Sequence, residues 1–249
     1  YARKAKVDTL VVGISGGIDS SVVSALCAET GLKTIVVQMP IRQNKKLDNL
    51  SSAQAGWLLE QFPNNVTHMS MDLTPVFTAF EKKVDPFCYP DSGNAPQTEL
   101  AFANSRARLR MMTLYQIAQS HGGIVVGTGN KVEDFGIGFF TKYGDGGVDI
   151  SPIADLNKTQ VFGLGKSLGI IESIQTAAPT DGLWGDDRTD EYQIGATYPE
   201  LEWAMDFKGD VKTLNTRQLE VLGIYNRLNR ANQHKMLPIP ICIIPEALR

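Results

Sequence analysis

The chain has 249 residues, and its 24 lysines and arginines against 27 aspartates and glutamates give a formal net charge of −3 at pH 7. Hydrophobic residues make up 43% of the sequence and charged residues 20%, a globular composition that excludes a disordered, collagen-like or coiled-coil protein. A slightly acidic chain without a long run of lysine and arginine is also a poor candidate for binding duplex nucleic acid, whose phosphates must be neutralised.

Cysteine content and the length of the apolar runs indicate in which cellular compartment the protein is expected. Cys27, Cys88 and Cys242 form no CxxC pair, which disfavours a disulfide framework or a zinc site and fits a reducing cytoplasm. The apolar runs at 10–12 and 239–244 are much shorter than the roughly 20 residues of a membrane span. No secretory signal pattern is present. We therefore expect a cytoplasmic protein.

Strand and helix patterns alternate along the chain. The β-branched run at 9–14 predicts a buried strand, and a helical pattern follows from Ser20 with Gly31 as its stop. Further strands are predicted at 33–39, 66–71 and 123–127, and further helices at 48–62, 98–121, 158–168 and 213–233. This alternation predicts an α/β fold in which a single parallel, Rossmann-like sheet carries helices on both faces. We expect one domain over residues 1–249, ending in a proline-rich tail at about 237–249.

In such a sheet, ligands bind beyond the carboxyl ends of the strands, so the loops at 15–20, 40–47 and 128–138 are candidate binding segments. The first of them, Ser15-Gly16-Gly17 followed by Asp19 and Ser20, is the sharpest signal. Glycines let the backbone approach a ligand closely, and the amides that begin the next helix attract an anion. An aspartate fits an anion site when Mg²⁺ lies between the carboxylate and the phosphates.

We compared this loop with three other known glycine-rich motifs. The Walker pattern is absent, and Ser15 stands where the dinucleotide fingerprint has its second glycine. Residues 13–17 do match the G-x-S-x-G nucleophile elbow, in which Ser15 would use His121 or His234 as its base. That interpretation leaves Asp19 and Ser20 without a role, but it stays open as an α/β-hydrolase alternative.

The S-G-G-x-D-S loop after a first strand resembles the pyrophosphate loop of the N-type ATP pyrophosphatases, which cleave ATP to AMP and pyrophosphate. The resemblance implies ATP contacts at Gly13, Ser15, Gly16, Gly17, Asp19, Ser20 and Ser21. The loop alone does not choose among the adenylating synthetases that share it.

Later segments resemble the ammonia-dependent NAD synthetase family. They are N-S-R-A-R-L-R-M at 104–111, G-T-G-N-K-V-E at 127–133, G-F-F-T-K-Y-G-D-G-G-V-D at 138–149, L-N-K-T at 156–159, A-P-T at 178–180, D-E-x-x-x-G at 190–195 and His234-Lys235. The resemblance covers residues 8–236. It departs at Gln38, where the family often has an arginine near the adenine, and no role is assigned to the insertion at 183–188.

The resemblance also implies roles for single residues. Thr128, Thr180 and the phosphate lysine Lys158 would contact ATP, and Glu133 would join Asp19 on Mg²⁺. Arg108, Lys142, Asp149, His234 and Lys235 would contact deamido-NAD, with Lys158, Asp149 and Lys142 as the catalytic set.

The reaction implied by the resemblance is amidation of deamido-NAD with ammonia through an acyl-adenylate, which gives NAD, AMP and pyrophosphate. We expect Asp149 to orient the incoming ammonium. Free ammonia is favoured over glutamine, although a separate glutaminase stays open, and the family implies a homodimer. The alternatives are another adenylating synthetase of the superfamily, the hydrolase above, and a nucleotide sensor without turnover.

Overall fold

The computed structural model describes residues 1–43, 45–88, 95–180 and 189–249. The insertion at 183–188 and residue 44 of the loop at 40–47 lie outside these ranges. The helices are α1 (Ala2–Ala5), α2 (Ile18–Glu29), α3 (Lys45–Gln61), α4 (Thr74–Val84), α5 (Ala95–Ser120), α6 (Lys158–Ser167), α7 (Glu172–Gln175), α8 (Asp190–Ile194), α9 (Tyr198–Asp206) and α10 (Thr216–Met236). Short 3-10 turns cover Asp85–Phe87, Val211–Thr213 and Glu246–Leu248, and a π-helix covers Lys131–Ile137.

The strands are β1 (Thr9–Gly13), β2 (Lys33–Gln38), β3 (Val66–Ser70) and β4 (Gly123–Val125). They form one parallel sheet in the order β3-β2-β1-β4. The four predicted strands and the α/β class are therefore confirmed. The chain moves outward from β1 to β3 and then returns to the other side of β1, so its direction of winding reverses between β1 and β4. A crevice for a ligand is expected at that point.

Helices cover both faces of the sheet, as predicted. On one face Val12 and Val36 pack with side chains of α2, α3 and α6. On the other face Val11 and Ile35 pack with Phe77 of α4 and with α5. The alternation follows from the period of two in a strand, and both faces are apolar because both are buried.

Helix α4 was not predicted. It begins at Thr74 with Pro75 in its first turn, and its fully buried hydrophobic side chain is Phe77. Its apolar side chains recur at helical spacing, so the sequence did carry a signal for this helix that the strand and helix pattern above left out.

A third apolar cluster joins the π-helix to α9 and α10. It includes Val132, Ile137, Leu201 and Val221. This cluster holds the residues after β4 against the C-terminal half of the chain, and it sets the position of Glu133. No helix of the described residues is long and apolar enough to cross a membrane.

Candidate active site

A cavity of about 460 Å³ opens at the carboxyl ends of β1 and β4, where the strand order reverses. One wall is the glycine loop after β1, and another is the segment from Val126 to Gly129 after β4. Most of the predicted ATP residues line this cavity: Gly13, Ser15, Gly16, Gly17, Asp19, Ser20, Thr128, Lys158 and Thr180. Residues that are far apart in the chain therefore meet around one cavity.

The glycine loop is held in shape by serine hydroxyls. The Ser15 amide donates to Ser20 Oγ at 3.1 Å, and the Ser20 and Ser21 hydroxyls both donate to the Gly17 carbonyl. Gly16 has φ +84°, a left-handed conformation that favours glycine. Ser21 is fully buried beneath the loop, so it supports the loop rather than facing the cavity.

Lys158 joins two carboxylates at the base of the cavity. Its Nζ lies 2.6 Å from Asp19 Oδ2 and 2.8 Å from Glu133 Oε1. The lysine is 2% exposed, and it stands at the first residue of α6. Asn130 donates from Nδ2 to the other Asp19 oxygen at 3.1 Å, and its Oδ1 accepts from the Glu133 amide. Residues 111 positions apart in the chain thus meet in one polar cluster.

The charges in this cluster affect each other's protonation. Burial alone would lower the pKa of Lys158, but Glu133 and Asp19 outweigh it and raise that pKa. Burial also opposes ionisation of Glu133, yet the Lys158 ammonium and the hydrogen bonds to Lys158 and Tyr198 lower the pKa of that carboxyl. Burial raises the pKa of Asp19, with Glu133 adding to the shift and Lys158 opposing it.

The donor set fits a hard divalent cation. Asp19 and Glu133 both contact the same ammonium nitrogen, so their oxygens converge on a single point. Within the described ranges, no group of three or more histidine, cysteine, aspartate or glutamate side chains is arranged to hold a metal. Magnesium is usually bound by one or two carboxylates together with substrate phosphates, so two protein carboxylates suffice when a nucleotide supplies the remaining ligands.

Asp134, next to the proposed metal ligand Glu133, also lines the cavity. Burial raises its pKa to about 8, and the nearby carboxylates of Asp145, Glu133 and Asp19 add to the shift. A Cβ on Gly129 would lie 1.8 Å from Asp134 Oδ2, so only glycine at 129 leaves room for this carboxyl group. The sequence analysis did not identify Asp134, because its burial and the approach of Asp145 and Asp19 are not visible in the local sequence.

The raised pKa makes stability depend on pH. In the unfolded chain Asp134 ionises near pH 3.8, whereas in the folded protein it keeps its proton until about pH 8. Its contribution to stability is complete below pH 4 and is lost as the pH rises to 8. Asp134→Asn is therefore expected to raise the unfolding free energy at pH 9 by roughly 2–5 kcal/mol, less than the full 1.36 kcal/mol per pKa unit because the side chain borders an open cavity, with little effect at pH 4. Urea unfolding at both pH values measures this, with the exposed Asp155→Asn as the matched control; equal shifts at both pH values would contradict it.

The cavity is also lined by Arg110, Asp145 and Lys235. Arg110 donates from Nε to the Met39 carbonyl at 3.0 Å, and burial, with Arg106, lowers its pKa to about 10, so the guanidinium stays charged at neutral pH. Asp145 accepts from the Thr141 amide and opens into the cavity, and burial raises its pKa to about 6. Of these three, sequence reasoning assigned a role only to Lys235, which donates to the Gly138 and Phe140 carbonyls.

Three of the predicted substrate residues lie together away from the cavity lining. Arg108 Nε donates to the Lys142 carbonyl, and Lys142 Nζ donates to the His234 carbonyl. Backbone carbonyls thus link the three residues. Lys142 and His234 adjoin in the chain Thr141 and Lys235, which line the cavity, so we call Arg108, Lys142 and His234 the rim residues. Asp149 lies elsewhere: its Oδ2 accepts from the Val125 amide at 2.8 Å and its Oδ1 from the Tyr115 hydroxyl at 3.2 Å.

Two further expectations concern Gln38 and Ser15. Gln38 lines the cavity but donates to Asp48 Oδ1 at 2.7 Å, which ties the end of β2 to α3. Ser15 Oγ contacts Ser20 Oγ and the Gly17 amide, and neither His121 nor His234 is among the described residues that line the cavity. The hydrolase alternative therefore lacks its base.

Comparison with known proteins identifies relatives over nearly the whole chain. A family model described as NAD synthase matches residues 1–238. The NH(3)-dependent NAD(+) synthetase of Mycoplasma genitalium is 37% identical over 226 residues, which is 90% of this chain and 84% of the relative. The structure of NMN synthetase from Francisella tularensis superposes with a TM-score of 0.81 at 31% identity, covering 98% of this chain and 92% of that one. The NH3-dependent NAD synthetase from Campylobacter jejuni shares the fold with a TM-score of 0.73 at 22% identity, covering 97% and 93%.

Proposed function

The chain belongs to the NAD synthase family, and on that premise we propose that it is a ligase that amidates the nicotinate carboxylate of deamido-NAD with ammonia at the expense of ATP. The observation that carries the proposal is the convergence of Asp19 and Glu133 on Lys158 beneath a glycine loop that opens into the cavity. A serine hydrolase has no use for such a cluster, whereas binding a nucleoside triphosphate with its metal ion requires carboxylates and a cation of this kind.

In the first step, a carboxylate oxygen of the substrate attacks the α-phosphorus of ATP, the bond to the β-phosphate breaks, and pyrophosphate leaves. Negative charge develops on the departing pyrophosphate. The amides of the Gly16–Ser20 loop and the Lys158 ammonium are fixed in place before the reaction, so they stabilise this charge without reorganising. We propose that Thr128 and Thr180, which line the same cavity, contact the nucleotide.

Asp19 and Glu133 would hold Mg²⁺, which when bound supplies positive charge next to the phosphate oxygens. Lys158 already contacts both carboxylates, so it lies where it can pair with the phosphates that share the metal. The protein therefore brings its own cation and its two metal ligands to one place.

In the second step, ammonia attacks the acyl carbon of the adenylate, the bond to AMP breaks, and one proton must leave the nitrogen. We propose Asp145 as the acceptor of this proton. A carboxylate with a pKa of about 6 is near neutrality, which suits a general base. Asp149, which the sequence favoured for orienting ammonium, has both oxygens hydrogen-bonded to protein groups.

We propose that the rim residues Arg108, Lys142 and His234 contact the dinucleotide, together with Lys235 and Asp149. On the same family likeness we propose that the protein is cytoplasmic and forms a homodimer. We also propose that each chain folds as one domain.

A second candidate substrate is the nicotinate mononucleotide. It is favoured by the fit to the NMN synthetase structure, which has a TM-score of 0.81. The two substrates share the nicotinate carboxylate and differ by the AMP half of the dinucleotide. Both reactions use the same cavity chemistry, so they differ only in what the rim must bind.

The test is purified protein with ATP and Mg²⁺, given either substrate and either ammonium or glutamine, with products separated by chromatography. We expect AMP and pyrophosphate only when the pyridine nucleotide and ammonium are both present. Release of ADP would contradict the pyrophosphatase chemistry. The ratio of kcat/KM for the dinucleotide and the mononucleotide decides between the two substrates.

Asp145→Asn is expected to lower kcat/KM for ammonia about 10-fold or more, because the variant cannot accept the proton. Below pH 6 the wild-type carboxylate is itself protonated, so the two proteins should converge there and diverge as the pH rises. The measurement is a pH profile of kcat/KM for ammonia from pH 5 to 9. The same profile for Asp149→Asn is the matched comparison, and a larger loss in that variant would return the role to Asp149.

A further inference from the structure

Tyr198 is a buried residue that no motif in the sequence singles out. It is the first residue of α9, it is 3% exposed, and it packs in the apolar cluster beside the π-helix. Its hydroxyl donates to Glu133 Oε1 at 2.5 Å and lies 3.2 Å from Asp190 Oδ2. Its ring lies under Lys158, with Nζ 4.8 Å from the ring centroid. The Tyr198 side chain thus contacts both the Glu133 carboxylate and the Lys158 ammonium.

The donors on Glu133 converge on one oxygen. Lys158 Nζ and the Tyr198 hydroxyl both reach Oε1, from different elements of the fold. Two donors on the same oxygen, arriving from different directions, fix the rotation of a carboxylate about its last bond. Its remaining oxygen then has a defined direction.

The two donors to Glu133 differ in the acceptors with which they are shared. Lys158 is shared between Asp19 and Glu133, and in the proposed function it also pairs with phosphate. The Tyr198 hydroxyl has one proton, and Glu133 Oε1 at 2.5 Å is a closer acceptor for it than Asp190 Oδ2 at 3.2 Å. In the proposed function no phosphate pairs with this hydroxyl, so its bond to Glu133 does not depend on where Lys158 lies. Asp19 has an equivalent committed donor in Asn130. Each of the two carboxylates therefore has one donor that a nucleotide does not compete for.

The backbone around Tyr198 is firmly placed. Thr197 and Glu200 form a capping box at the start of α9, and the Tyr198 amide donates to Glu191 Oε1 at 2.9 Å. The Asp190 amide in turn donates to the Pro179 carbonyl, next to the proposed ATP contact Thr180. The hydroxyl is consequently held by the rest of the fold and not by Glu133 alone.

We infer that Tyr198 is a positioning residue for the divalent cation: its hydroxyl orients Glu133 so that this carboxylate and Asp19 bind one metal ion together. The inference rests on the proposed function, because it requires a metal–nucleotide complex in the cavity. Groups that orient a metal ligand typically contribute 10–100-fold to metal affinity.

The experiment compares wild type with Tyr198→Phe, which keeps the ring under Lys158 and removes only the hydroxyl. Mn²⁺ binding in the presence of a non-hydrolysable ATP analogue is followed by electron paramagnetic resonance, at a temperature at which thermal unfolding shows both proteins folded. We expect the Mn²⁺ Kd to rise about 10–100-fold, and the Mg²⁺ concentration for half-maximal turnover to rise in parallel. The KM for ammonia should not change.

Tyr192→Phe, on the neighbouring helix α8 and 81% exposed, is the matched control and should bind Mn²⁺ like wild type. In a Glu133→Gln background, adding Tyr198→Phe should cause little further loss, because the carboxylate that it orients is already gone. An unchanged Mn²⁺ Kd in Tyr198→Phe, or an undiminished loss in the Glu133→Gln background, would overturn the inference. Failure of wild type to bind Mn²⁺ with the analogue would instead contradict the proposed function.

Discussion

Lys158→Met is expected to lower turnover by roughly 10²–10³-fold and to lower the unfolding free energy by about 3–5 kcal/mol. The ammonium is buried between Asp19 and Glu133, so its removal leaves two buried carboxylates facing each other without a counter-charge. The activity loss has a separate cause, since the pyrophosphate loses a preorganised cation. Steady-state kinetics and urea unfolding measure the two effects on one preparation.

A double variant separates these two effects. Glu133→Gln together with Lys158→Met removes one charge of each sign, so the net charge of the cluster returns to its wild-type value. Stability should recover in part, while turnover should not. Lys166→Met, an exposed lysine in the last turn of the same helix, should resemble wild type in both assays. If Lys158→Met unfolds like wild type, the two contacts contribute nothing to the fold.

Local sequence patterns identified those parts of the candidate site whose residues are neighbours in the chain. The run at 9–14, its glycines and Asp19 are close together in the chain, so a strand, a turn and a helix start could be identified from local pattern. The family resemblance added Glu133 and Lys158, and the structure brings both to Asp19.

The sequence could not predict which way individual side chains point in the folded chain. Arg108 and Arg110 are two residues apart on α5, and nothing in the pattern says that Arg110 faces the cavity while Arg108 reaches Lys142. Asp145 and Asp149 lie in one motif, yet only the structure shows that Asp149 accepts a hydrogen bond from the Val125 amide of β4 while Asp145 lines the cavity.

Tyr198 was missed for a different reason. It lies 65 positions from Glu133, and its surroundings in the sequence resemble any amphipathic helix start. A buried hydroxyl needs a partner, but the sequence does not say which one.

Gly16→Ala is expected to destabilise the protein by roughly 2–4 kcal/mol and to raise the KM for ATP at least 10-fold. At φ +84° a side chain costs about 1–2 kcal/mol on conformation alone. In addition, the new Cβ would lie 2.7 Å from the Leu47 carbonyl oxygen and 3.0 Å from the Ser51 amide. Both atoms are backbone of α3, so either the helix or the loop must move. The loop that moves is the one proposed to hold the phosphates.

Gly17→Ala is the matched control for stability, one residue along the same loop. Gly17 has φ −88°, which any residue adopts, and its added Cβ would meet only Ser15 Oγ at 3.4 Å. Thermal unfolding should therefore separate the two variants, with Gly16→Ala melting several degrees lower and Gly17→Ala close to wild type. Equal melting temperatures would mean that the loop tolerates a side chain at both positions, and that its path does not depend on the left-handed turn at Gly16.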